Sequence, residues 1–348
     1  MKPVLPLLAA VAALSVNGSL PSKLYTHAGH LVAVEPGRRL NLRCMGNGQP
    51  TVVMESGLWD SSMTWRKVQG QIAQFTHACS YDRAGLGFSD GARRPTTALN
   101  TADDLHRLVT AAGIQRPFVL VGHSAGGLYA TVYAGLYGSD IAGMVLVDPA
   151  FAEQDHDMET QVMSAQERAA AKSEVLSLIA GLKTCAVLAH QGKLTPNTPS
   201  PANCVRRDPD PVLSAELVRE SIRPKTQDAL LSEAQNFTVH VVGDYSESAL
   251  EAMRIRHDFQ DMPLMVLTRG TGPKPSLVSD ETYAAREEAL RTGHDRLAGY
   301  SSAGQSRVVP NSSHYIQLDQ PQAVIDAVRS VVDQVRKRHP VVSNATSK

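Results

Sequence analysis

Neither sign of charge dominates this chain, in which 34 basic residues meet 34 acidic ones with no basic stripe. The electrostatic signature of a nucleic-acid or anionic-membrane binder is therefore missing, and a small or neutral partner is expected. Internal repeats are also missing, so the 348 residues make one large domain or two small ones. Beyond the N-terminus no run reaches about 18 uninterrupted apolar residues, which predicts a soluble mature chain without integral membrane association. Cysteine is scarce, and Cys44, Cys79, Cys185 and Cys204 fit no metal spacing such as C-x-x-C, so no metal is expected. Cys185 and Cys204 flank a proline- and asparagine-rich loop (TPNTPSPAN). They are the expected disulfide, which would stabilise the fold by about 3 kcal/mol through loop entropy. Cys44 and Cys79 lie in strand-like segments and read as buried free thiols.

What is present is ordinary globular composition, 43% hydrophobic and 20% charged. Residues 1–19, MKPVLPLLAAVAALSVNGS, join one lysine, a short apolar run and small residues. They resemble a secretory signal peptide, and the mature protein is expected to be secreted or periplasmic. Asn-x-Ser/Thr sequons occur at Asn17, Asn236, Asn311 and Asn344.

From residue 31 onward short apolar strands alternate with helical patterns. Strands are expected at LVAV (31–34), LNLRC (40–44), TVVMES (51–56), HACSYD (77–82), FVLV (118–121), GMVLV (143–147), PLMVL (263–267) and RVVP (307–310). Helices are expected over SMTWRKVQGQIAQF (62–75), 101–112, after Ser124, and over 321–337. Alternation of this kind predicts an α/β fold with a mostly parallel sheet covered by helices on both faces. A helical insertion, residues 150–262, interrupts the rhythm before the penultimate strand and reads as a cap or lid. The core then comprises residues 20–149 and 263–340, with a flexible tail over 341–348.

The most informative stretch is FVLVGHSAGGLYATVYAG (118–135). Its apolar strand runs into Gly122-His123-Ser124-Ala125-Gly126 and then into an alanine-rich helix. G-x-S-x-G in this setting puts the serine on a sharp strand-to-helix turn, where flanking glycines keep the strained backbone free of clashes. A serine hydroxyl needs a base to take its proton, and the base needs a third group to hold one tautomer. Twelve histidines compete for the role of base. His123 diverges from Ser124 on the turn and reads as structural, at most lining the substrate site. His27 and His30 read as solvent-exposed.

With VVMESGLWDSS (52–62), SYDRAGLGFSD (80–90) and NSSHYIQLDQP (311–321), the chain resembles an α/β-hydrolase. The resemblance implies a Ser124–acid–His314 triad. It usually places the acid after the strand ending at Leu267, but TRGTGPKPS there holds no carboxylate. Asp148, one strand earlier, is the first choice, with Asp280, Glu281 and Asp295 as alternatives. The resemblance also implies an oxyanion hole from the amides of Leu58 and Ala125, with Ser56 replacing the usual histidine. Trp59 would line the substrate pocket, and Arg83 would pair with a carboxylate. The implied activity is cleavage of a carboxylic ester through an acyl-enzyme on Ser124, without cofactor. Lactonase, thioesterase, amidase, peptidase and carbon–carbon bond hydrolase chemistry share this machinery, and a non-catalytic ligand-binding relative is the other class.

Overall fold

The computed structural model describes residues 20–199, 204–272, 274 and 278–338. The signal-like segment, the expected tail, Asn17 and Asn344 lie outside the described residues. Ten strands are present among the described residues: β1 (His30–Glu35), β2 (Arg38–Met45), β3 (Val52–Glu55), β4 (Ala78–Tyr81), β5 (Phe118–His123), β6 (Ile141–Val147), β7 (His240–Val242), β8 (Tyr245–Ser246), β9 (Leu264–Arg269) and β10 (Gly304–Val309). Eight of them form one sheet in the order β1-β2-β4-β3-β5-β6-β9-β10, while β7 and β8 make a separate hairpin. The pairs β1/β2 and β2/β4 are antiparallel, and every later pair in the large sheet is parallel. The fold is α/β with a mostly parallel sheet.

The α-helices are α1 (Gln69–Ile72), α2 (Ala98–Ala111), α3 (Ala125–Leu136), α4 (Ala165–His190), α5 (Pro211–Ser221), α6 (Pro224–Thr238), α7 (Glu247–Met253), α8 (Asp280–Ala298), α9 (Ile316–Asp319) and α10 (Pro321–Arg338). Successive residues of β5 serve opposite layers, as the two-residue strand period requires. Phe118 and Leu120 pack toward Leu105, Leu108 and Tyr133 of α2 and α3. Val119 and Val121 pack toward Ile72, Val324 and Val328 of α1 and α10. With apolar cover on both faces, every residue of β5 is buried.

Residues 62–75 do not form the single helix expected from their pattern. They fold as a 3-10 turn, Ser62–Trp65, followed by the four-residue α1. Inward-facing polar bonds dictate that shape: Trp65 donates to Ser56 Oγ at 3.1 Å, and Gln69 donates to the Arg43 and Ala78 carbonyls at 2.7 and 3.1 Å. The last strand begins at Gly304, earlier than expected. Helices α6 and α8 were not anticipated, because their buried stripes are narrow and interleaved with polar residues.

The cysteines require a second correction. Cys44 and Cys79 are not free thiols but a disulfide, as are Cys185 and Cys204. Antiparallel pairing of β2 with β4 sets Cys44 directly opposite Cys79, with Cα atoms 4.1 Å apart. That proximity depends on strand register and was hidden by the 35-residue separation.

Between β6 and β9 the chain is mainly helical. The long α4 starts from a capping box between Ser164 and Glu167 and packs on α6, where Ile179 and Leu182 share a cluster with Ala229, Leu230 and Ala234. By length and composition alone α4 could cross a membrane.

Candidate active site

At the carboxyl end of β5 the backbone reverses into α3 through Ser124, whose φ and ψ are 54° and −125°. Such a conformation costs a non-glycine residue about 1–3 kcal/mol, so neighbouring groups must hold it. Ser124 N–H donates to the Val147 carbonyl at 3.1 Å, and its own carbonyl accepts from Gly127 and Ala150 at 2.8 and 2.9 Å. The flanking glycines make the close approach possible. A Cβ on Gly122 would lie 2.4 Å from the Gly126 carbonyl oxygen, and one on Gly126 would lie 2.5 Å from that of Ser56.

Three side chains from separate elements converge here. His314, between β10 and α9, has Nε2 at 2.8 Å from Ser124 Oγ and Nδ1 at 2.6 Å from Asp148 Oδ2. A carboxylate only accepts, so Nδ1 carries the proton and Nε2 offers its lone pair to the serine hydroxyl. The His314 loop is fastened by its own serines. Ser312 Oγ accepts from Gly270 N–H at 3.1 Å and donates to the Val309 carbonyl at 2.7 Å, while Ser313 N–H donates to Asp319 at 2.8 Å.

Asp148 follows β6 with φ 41° and is buried. Its amide continues the ladder to β9, donating to the Leu267 carbonyl at 2.7 Å. Arg269 donates to the carboxylate from its backbone N–H and from Nη1, both at 3.0 Å. Burial alone would raise this carboxyl, but the His314 hydrogen bond and the Arg269 charge outweigh it and hold it well below the usual carboxylate range. The alternative acids stand elsewhere on α8: Asp280 pairs with Lys274, Glu281 is exposed, and Asp295 accepts from Ser306.

His123 is enclosed, with 1% exposure, and Nε2–H donates to the His314 carbonyl at 2.9 Å. Burial pushes its imidazole down to about 3, so it is neutral at pH 7. It supports the His314 backbone instead of presenting a ring to solvent, unlike a substrate-lining residue. Trp59 is half-buried, and its indole N–H is taken by the Leu230 carbonyl at 2.9 Å. His27 and His30 are exposed.

Gly57 presses on Ser124, since a Cβ there would stand 2.8 Å from His123 Nδ1 and 3.2 Å from Ser124 Cβ. Buried Arg83 sets the orientation of this loop. Its guanidinium donates to the carbonyls of Ser56 and Gly57, each at 2.6 Å, to Glu55 at 2.7 Å and to Glu233 of α6 at 2.8 Å. Glu233 also accepts from Trp59 N–H at 2.6 Å. In a trans peptide C=O and N–H point in opposite directions, so fixing the Gly57 carbonyl on Arg83 aims the Leu58 N–H away from Arg83. Among the described residues, neither the Leu58 amide nor that of Ala125 enters a turn, loop or side-chain hydrogen bond. Ala125 is the first residue of α3, where N–H groups lack intrahelical acceptors and the helix dipole favours negative charge. The part played by Glu233 was invisible in the sequence, because it depends on α6 docking on the loop that follows β4.

The profile of the Alpha/beta hydrolase family matches residues 52–327. Over 108 residues the chain is 36% identical to the uncharacterized protein YqjL of Bacillus subtilis, covering 31% of this chain and 43% of that protein. The chain thus spans less than half the length of the first curated relatives it matches. Among solved structures, the haloalkane dehalogenase DatA of Agrobacterium tumefaciens superposes with a TM-score of 0.64 at 15% identity, covering 88% of this chain and 96% of that one. A thermophilic esterase of Thermogutta terrifontis superposes at 0.54 with 19% identity, covering 88% and 97%. At those identities the likeness is one of fold.

Proposed function

The chain belongs to the alpha/beta hydrolase family, and from that premise we propose that it is a serine hydrolase cleaving a carboxylic ester of a small molecule. The observation carrying this reading is the unbroken path from Ser124 Oγ through His314 to Asp148, at 2.8 and 2.6 Å. Ser124 Oγ attacks the ester carbonyl while His314 Nε2 takes the hydroxyl proton. The resulting oxyanion lies against the Leu58 and Ala125 N–H groups, each such donor contributing about 10²–10³ in rate. Collapse breaks the carbon–oxygen bond to the alcohol, which leaves with the proton from His314. A water then gives a proton to His314 and attacks the acyl-enzyme, releasing the acid and restoring Ser124.

Serine at the elbow favours acyl transfer over dehalogenation, because displacement of halide from an alkyl carbon calls for a carboxylate nucleophile. The insertion serves as a cap in this reading, supported by the bonds of Leu230 and Glu233 to Trp59. Two disulfides support a secreted or periplasmic location, since such bridges persist outside the reducing cytosol.

The test is turnover of a short-chain chromogenic ester by wild type and Ser124→Ala, with fluorophosphonate labelling of both. Wild type is expected to turn over and take the label, and Ser124→Ala to do neither. Equal background rates in the two, with no label on wild type, would overturn the enzyme reading and leave a ligand-binding protein on a hydrolase fold.

A further inference from the structure

Arg269 occupies the end of β9, the strand after which the resembled family usually carries its acid, and its guanidinium bears on Asp148, which stands in for that acid. Arg269 Nη1 and His314 Nδ1 both donate to one oxygen, Asp148 Oδ2, at 3.0 and 2.6 Å. A protonated His314 would therefore stand within about 6 Å of a permanent cation bound to its own counter-ion. On the far side, Arg269 Nη2 is anchored to Glu287 of α8 at 2.6 Å.

Resting on the Ser124–His314–Asp148 reading, we propose that Arg269 is a positioning residue that lowers the proton affinity of His314 by sharing Asp148 with it, and that Glu287 partly offsets this effect. The benefit is a base that stays unprotonated, and so competent to accept the serine proton, further into the acid range.

Other groups facing this centre do not supply the same charge. His294 of α8 has Nδ1 accepting from the Thr268 hydroxyl at 2.7 Å and Nε2–H donating to the Pro149 carbonyl at 2.8 Å. Burial lowers its proton affinity and keeps it neutral. His123, at the end of β5, is neutral for the same reason. Asp60 stands 4.0 Å from His123 Nδ1; burial pushes its carboxyl up against the pull of Arg206, and the Tyr315 hydroxyl faces it. Arg83 is spent on Glu55 and Glu233. Arg269 is thus the permanent cation in contact with Asp148 among the described residues.

The experiment measures the His314 pKa twice, from the acid limb of kcat/KM on a chromogenic ester and from NMR titration of its imidazole, in wild type, Arg269→Gln and Glu287→Gln. Removing the guanidinium should move both readouts up by about one pH unit, and removing its counter-charge should move both down. A purely structural role would lower activity or stability while leaving the titration where it was. An unmoved pKa in Arg269→Gln, or shifts of the same sign in the two variants, would overturn the proposal. Should Arg269→Gln fail to fold, the Glu287→Gln titration decides alone, a downward shift supporting and any other result refuting it. The NMR titration needs no turnover, so loss of the hydrolase reading through unlabelled Ser124 is distinguishable from failure of the Arg269 proposal.

Discussion

Replacing Asp148 with asparagine preserves the shape of the site and changes one atom's hydrogen-bonding role. The carboxylate now accepts from Arg269 N–H on Oδ1 and from Arg269 Nη1 and His314 Nδ1 on Oδ2. An asparagine that keeps its oxygen on the Arg269 backbone would turn its NH₂ toward two donors. His314 can relieve that conflict only by moving its proton to Nε2, leaving Nδ1 to accept, and an Nε2–H cannot receive the Ser124 proton. The expected loss in kcat is about 10⁴-fold, equivalent to about 5.5 kcal/mol of barrier. Folding should suffer less, by about 1–3 kcal/mol, because Arg269 retains Glu287 and is not left as an orphaned buried charge. The assay pairs steady-state hydrolysis and fluorophosphonate labelling rates with urea denaturation, using Asp280→Asn and Asp295→Asn as controls within about twofold of wild type. An Asp148→Asn enzyme within tenfold of wild type, or an equal loss in either control, would refute the reasoning.

Other tests probe the frame around the site. Burial, reinforced by the nearby charges of Asp82 and Glu216, pushes the Glu220 carboxyl up to about 7. Between about pH 4.5 and 7 the folded state thus binds the extra proton, and stability falls as pH rises through that window. Glu220→Gln should therefore gain about 1–3 kcal/mol in urea unfolding at pH 8 and little at pH 4; an equal effect at both would contradict it. Glu233→Ala leaves Trp59 N–H unpartnered and Arg83 with Glu55 as its one remaining carboxylate. It should cost about 3 kcal/mol in folding and lower kcat more than it raises KM, because the Leu58 amide loses its fixed direction. Replacing Cys44 and Cys79 together by alanine opens a 35-residue span. The loop-entropy relation predicts a loss of about 4 kcal/mol against the oxidised wild type, and a change under 1 kcal/mol would show that the bridge does not form.

How much could be read beforehand depended on how local each feature was. The turn at Ser124 was legible because strand, glycines, serine and helix are contiguous, and the steric need for small residues at 122 and 126 acts within five positions. His314 stood out only through the resemblance, since α/β-hydrolases place their base in the polar loop ahead of the last helix. Asp148 could only be ranked against Asp280, Glu281 and Asp295, because proximity to His314 depends on which strand ends lie side by side. The Cys44–Cys79 bridge was misread for the same reason, its partners meeting only through the β2/β4 register.

The sequence by itself determined the alternation of strands and helices and the sharp turn at Ser124, since hydrophobic period and backbone sterics act between near neighbours. Only the tertiary structure decided which acid faces His314, that Arg269 shares it, and that Arg83 and Glu233 fasten the loop beside Ser124. Those relations arise from sheet order, which sets β6, β9 and β10 side by side, and from helix docking across long separations, where no local pattern records which charges will meet.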